Sequence, residues 1–207
     1  MSDKLIICGA GGLGSEVKML AEDVGGWELV GFLDDTLPAG SVAHGLPILG
    51  GGSYIEDFSV GVSVVIAVGS PQARESIHER MSRSGRVSFP KLIHPLACVA
   101  REAVLENGVC VFPFTLISSG AHIGQCAHLY NNVSVAHQAK IGAYSLVAPL
   151  AAIAGNVSIG RRVWIGAGAS IKQGTAIGDD AVIGLGSAVI NDIPANLTAA
   201  GNPARGI

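Results

Sequence analysis

From Val99 to Val189 every sixth residue is valine, isoleucine or leucine: Val99, Leu105, Val111, Ile117, Ile123, Leu129, Val135, Ile141, Val147, Ile153, Ile159, Ile165, Ile171, Ile177, Ile183 and Val189. Two places before each stands a small or β-branched residue, as at Val109, Thr115, Ala121, Ser145 and Ala169. A period of six suits neither the 3.6-residue turn of an α-helix nor the two-residue alternation of a strand. It suits a short strand followed by a turn, repeated so that three make one triangular coil. The branched side chain then fills the prism, and the small residue lets neighbouring walls close. Coils stacked at about 4.8 Å give every backbone group except those at the two ends a partner. The unbroken run implies roughly five coils without an insertion loop. Glycine follows the branched residue in the pairs at Ile123, Ile141, Ile159, Ile165, Ile177 and Ile183; these glycines are expected to supply the unusual backbone angles of the corners.

Composition narrows the class further. With 29 glycines in 207 residues and only 5% aromatics, the core must be built from small and branched aliphatic side chains. A net charge of -3 and the lack of a long basic run argue against nucleic acid as a partner. No apolar run approaches the ~20 residues of a membrane-spanning helix, and the opening MSDKLIICGAGG has neither the length nor the cleavage site of a signal peptide. A soluble, cytoplasmic protein is expected. Cys8, Cys98, Cys110 and Cys126 form no CxxC pair and read as small buried hydrophobes.

The first ninety residues have a different pattern. Lys4 to Cys8 reads as a buried strand, Gly9-Ala10-Gly11-Gly12-Leu13-Gly14 as a turn, and Ser15 to Asp23 as a helix. That order cradles phosphate, because glycines let backbone approach the anion and the helix N-terminus carries partial positive charge. A second strand, Glu28 to Leu33, ends in Asp34-Asp35, with Asp34 at the distance of a ribose-binding acid. A third, Val62 to Val68, leads to Gly69-Ser70-Pro71, where Ser70 can cap a helix that Pro71 opens. The expected organisation is a short Rossmann-like βαβαβ nucleotide-binding domain over 1–92, followed by a β-helix over 93–207.

The succession GAGGLG, GFLDD, LPILG, AVGS and LIHPLACV, leading into hexapeptide coils, resembles the sialic acid O-acetyltransferase and nucleotide-linked 4-amino-sugar N-acetyltransferase family over nearly the whole chain. The resemblance implies a left-handed parallel β-helix, a homotrimer, and acetyl-CoA in the cleft between adjacent prisms, with no metal. It assigns Gly9, Gly11, Gly12, Gly14, Asp34, Asp35, Gly69 and Ser70 to the nucleotide sugar. For coenzyme A it points to Gly155, Gly166, Ala167, Gly184, Gly186, Pro203 and Arg205, the arginine being suited to phosphate. The implied reaction moves acetyl from acetyl-CoA to the amine or hydroxyl of a nucleotide-linked sugar, leaning towards a 4-amino-4,6-dideoxy sugar for surface glycans.

Among six histidines, His137 stands out, in SVAHQAKIG, which resembles the family's segment with a catalytic histidine. Gly155 follows one coil later, on the same prism edge. An imidazole to take the acceptor's proton and a backbone N–H for the oxyanion would share one groove. Two departures from the family pattern concern this site. Gln138 replaces an acid expected to orient the ring, and Leu146 and Tyr130 replace a histidine and an asparagine. His94 lies in the segment leading into the coils, and His122 and His128 read as outward surface residues. Other readings stay open: a γ-type carbonic anhydrase with zinc on His122, His128 and His137, although their spacing puts them on different faces; a non-catalytic nucleotide-sugar-binding protein; and an NAD-dependent oxidoreductase.

Overall fold

A computed structural model describes residues 3–52, 54 and 61–207, which fall into two units, Met1–Leu92 and Ile93–Ile207. In the first, β1 (Asp3–Cys8), α1 (Gly12–Val24), β2 (Trp27–Leu33), β3 (Val42–Ala43), β4 (Leu46–Gly50), β5 (Val62–Ile66), α2 (Pro71–Ser82) and β6 (Val87–Ser88) follow in order. The sheet order is β3-β4-β2-β1-β5-β6, parallel except for the β3–β4 pair. Leu5, Ile6, Ile7, Val64, Val65 and Phe32 are buried, as a parallel sheet covered on both faces requires.

Helix α1 begins three residues earlier than expected, so Gly12 and Gly14 belong to it. Gly14 packs on the turn so tightly that a Cβ there would overlap Gly9 O, which is why the helix tolerates a residue of low helix propensity in its first turn. Strand β5 stops at Ile66, two residues short of the expected end. Ser70 caps α2 by accepting from Ala73 N–H at 3.3 Å, with Pro71 in its first turn.

The second unit is a parallel β-solenoid of the left-handed β-helix type, made of two-residue strands on three ladders. Each strand pairs with the one eighteen residues on: Leu116 with Ser134, Ser134 with Ala152, His122 with Lys140, His128 with Leu146. The branched residues from Leu105 to Val189 are all buried and form one continuous core. A hairpin, Thr198–Gly201 against Ala204–Gly206, ends the last ladder.

The glycines after the branched residues have another role than expected. None of Gly124, Gly142, Gly160, Gly166, Gly178 and Gly184 adopts a positive φ. They stand where consecutive coils come closest: a Cβ on Gly142 would overlap Gly160 O, and one on Gly166 would lie 2.5 Å from Leu185 N. The left-handed residue is the second of each turn, and it is mostly not glycine: Phe114, Cys126, Asn132, Gln138, Tyr144, Leu150, Asn156, Arg162 and Asp180 all have φ between 52° and 64°. The turn's ladder bonds hold these residues in a conformation they disfavour in isolation. Gly142→Ala should therefore destabilise the prism by about 1–3 kcal/mol, the usual cost of overpacking, read as a lower thermal midpoint. Gly11→Ala, with open space around it and φ -76°, should leave that midpoint in place.

Candidate functional site

The first cleft follows from the sheet order. β1 has β2 on one side and β5 on the other, and a parallel sheet opens a ligand crevice at the strands' carboxyl ends where the connections diverge. Here Cys8, Gly9, Leu33, Asp34, Asp35, Thr36, Gly52, Val68 and Ile77 line a cleft of about 460 Å³. Gly9 has φ 107° and no room for a side chain, since a Cβ would lie 2.5 Å from Ala67 O. Gly11 and Gly12 border open space at the start of α1. Val68 reaches the lining, whereas Gly69 and Ser70 follow it, Ser70 with its hydroxyl committed to the cap.

The lining includes groups that no sequence pattern marked. Gly52 N–H donates to Asp35 Oδ1 at 2.8 Å, and Arg80, at the end of α2, stands 4.0 Å from Asp35 Oδ2. His44 Nε2 is 2.9 Å from Ala10 O, which ties β4's hairpin to the glycine turn. Burial would raise the Asp34 carboxyl, but hydrogen bonds from the Thr36 hydroxyl and from the Ala10, Thr36 and Leu37 backbone outweigh it and hold the group below its usual value. Burial pushes the Cys8 thiol up to about 12 against the pull of Arg80, so it is neutral and inert in this cleft.

The second feature lies on one prism edge. His137 and Gln138 form a turn, and Asn156 N–H donates to His137 O at 3.0 Å, which sets Gly155 in the same phase one coil on. The exposed His137 ring covers the buried Gly155: a Cβ on Gly155 would be 2.5 Å from both Cε1 and Nε2. Gln138 makes no hydrogen bond to the ring among the described residues; its side chain lies beside Gly120, one coil earlier.

The first N–H of each turn points away from the ladder, and the chain deals with it in three ways. Proline removes it at Pro95, Pro113 and Pro149. A carboxylate of an adjacent coil takes it at Gln125, bound by Glu106 Oε2 at 3.0 Å, and at Arg161, bound by Asp179 Oδ1 at 2.8 Å. At Gly155 the N–H has no partner among the described residues and lies beneath an imidazole. The same backbone position that binds an anionic oxygen twice elsewhere in the prism is thus open beside a proton acceptor.

The other histidines divide. His122 is ion-paired with Glu106 at 2.8 Å, on the surface as expected. His128 is not on the surface: it points out of the prism yet is only 1% exposed, on the ladder between Cys110 and Leu146, both also buried. His122, His128 and His137 lie on two ladders and a corner, and no group of three metal-ligating side chains comes together among the described residues. Leu146 is part of that buried packing, and Tyr130 stacks on Phe112 at 4.8 Å, so both departures from the family pattern serve packing. Cys98 is exposed, unlike the other three cysteines.

Of the residues expected at coenzyme A, Gly166 and Gly184 are explained by close packing between coils. Ala167, Gly186, Pro203 and Arg205 are exposed, with Ala167 and Gly186 on a different prism edge from Gly155, so one protomer does not bring them to His137.

A hexapeptide prism with a histidine over an open amide, on a chain that also carries a cleft of nucleotide-binding type, defines a hexapeptide-repeat acetyltransferase. Residues 4–81 match the PglD N-terminal domain family. The chain is 32% identical to GDP-perosamine N-acetyltransferase of Escherichia coli O157:H7, over 96% of this chain and 94% of the relative. Its structure matches the acetyltransferase domain of PglB from Neisseria gonorrhoeae FA1090, also solved with acetyl coenzyme A, at 31% identity and TM-score 0.93 over 99% of both chains. It matches PerB from Caulobacter crescentus, in complex with CoA and GDP-perosamine, at 27% identity and TM-score 0.90 over 100% of this chain and 98% of that one. The chain belongs to the nucleotide-linked amino-sugar N-acetyltransferase family, whose members take acetyl from acetyl-CoA.

Proposed function

We propose that this protein acetylates the 4-amino group of a nucleotide-linked 4-amino-4,6-dideoxy sugar for surface glycan synthesis, working in the cytoplasm as a homotrimer. The observation that carries this reading is the His137 ring lying over the unpartnered Gly155 N–H. In this reading the sugar amine attacks the thioester carbonyl carbon as His137 accepts a proton from nitrogen. Negative charge gathers on the carbonyl oxygen, and the Gly155 N–H donates to it. The C–S bond then breaks, His137 returns the proton to sulfur, and the products are the amide and free coenzyme A. No nucleophilic side chain adjoins His137 in its turn, which favours direct transfer over an acyl-enzyme.

Gln138 leaves the ring without an acidic orienter, so in this reading the bound amine aligns the imidazole. The exposed Ala167, Gly186, Pro203 and Arg205 would contact coenzyme A across the cleft between two copies, which accounts for their standing away from His137 within one protomer. The assay is a panel of nucleotide-linked amino sugars incubated with acetyl-CoA while thiol release is followed. Release with 4-amino sugars and none with their 4-hydroxyl counterparts is the expected result. Turnover of hydroxyl acceptors alone would point to O-acetylation, and no release with any acceptor would defeat the proposal.

A further inference from the structure

The adjacent acids at the end of β2 are not equivalent. Asp34 turns its oxygens inward: Oδ2 accepts from Ala10 N–H at 3.0 Å, and Oδ1 from Thr36 N–H at 2.9 Å and from the Thr36 hydroxyl. A carboxylate offers roughly four acceptor sites, so little of Asp34 is left for a ligand. Asp35 is different. Its Oδ1 takes only Gly52 N–H, while Oδ2 lies 4.0 Å from Arg80 Nη2, beyond hydrogen-bond range. The side chain is 66% exposed at the cleft.

A free carboxylate oxygen beside a guanidinium selects a ligand edge with N–H donors next to a carbonyl oxygen. Adenine and cytosine place a bare ring nitrogen where the acid needs a donor. Uracil and thymine offer one N–H. Guanine offers N1–H and the N2 amine side by side, matching both oxygens of one carboxylate, with O6 adjacent for the arginine. Resting on the reading of this protein as a nucleotide-sugar acetyltransferase, we infer that Asp35, with Arg80 beside it, reads the N1–N2–O6 edge of guanine, so that the acceptor is a guanosine-diphosphate sugar.

Calorimetric titration of the whole protein with GDP, IDP, UDP and ADP tests this assignment. GDP should bind tightest, and IDP, which lacks only the N2 amine, about tenfold or more weaker, as expected for one lost hydrogen bond to a charged group. Asp35→Asn should erase the GDP-over-IDP preference with no change in thermal midpoint, whereas Asp34→Asn should lower the midpoint and keep the preference. UDP binding as tightly as GDP, or a preference that survives in Asp35→Asn, overturns the assignment. So does a preference lost in Asp34→Asn instead. The broader reading fails separately: acetylation of a uridine-linked amino sugar would sink the guanine assignment alone, while absence of acetyl transfer to every nucleotide sugar would sink the proposed activity.

Discussion

His137→Ala is expected to lower the rate of acetyl transfer by about 10²–10⁴-fold, the usual contribution of a positioned general base, while nucleotide affinity stays at the wild-type value. The separation follows from geometry. The histidine sits at an exposed turn of the second unit, and its ring touches Gly155 rather than any ladder group. Removing the ring costs the prism no core contact, since the buried residues of that coil are Val135, Ala139 and Ile141. The nucleotide cleft is built from other residues altogether. Steady-state kinetics at saturating acetyl-CoA, beside calorimetric titration of the nucleotide, check both halves. Unchanged turnover would remove His137 from the mechanism, and a parallel loss of nucleotide affinity would mean that the substitution disturbed more than the proton acceptor.

Gly155→Ala should be nearly as damaging, with turnover reduced by about 10²–10³-fold, the scale of losing one oxyanion donor. Gly155 has no positive φ, and the equivalent turn position holds alanine at Ala143 and Ala167, so the backbone accepts the methyl group. The Cβ would instead meet the imidazole at 2.5 Å, pushing the ring off the amide and crowding the place of the thioester oxygen. Turnover should therefore fall while the thermal midpoint holds. The contrast with Gly142→Ala is informative: there the Cβ meets backbone of the next coil and the fold suffers. Wild-type turnover in Gly155→Ala would show that the amide under His137 is not used.

Much of this could be read along the chain, because a solenoid repeats one local solution. The residue that fills the prism is set by its place in a six-residue period, and Leu105 to Val189 follow that period into the core. The pairing of His137 with Gly155 is legible for the same reason: equal phase eighteen residues apart is an arithmetic property of the coil, and the ladder bonds keep it. The role of the corner glycines was not legible. Whether glycine serves backbone freedom or close approach depends on how near the next coil lies, and at Gly124 and Gly142 approach decides. His128 escaped for a related reason, since alternation along a strand gives its direction but not what covers it.

The chain's periodicity alone determined the prism, its core and the histidine-over-glycine edge, because each depends on contacts at a fixed sequence interval. Tertiary structure alone decided the division of labour between Asp34 and Asp35. Their partners Ala10, Gly52 and Arg80 come from the ends of different elements, 17 to 45 residues away in the chain, and meet only where a parallel sheet brings its strand ends together. Hydrogen-bonding capacity left over after folding is a property of that meeting, and no pattern in the sequence carries it.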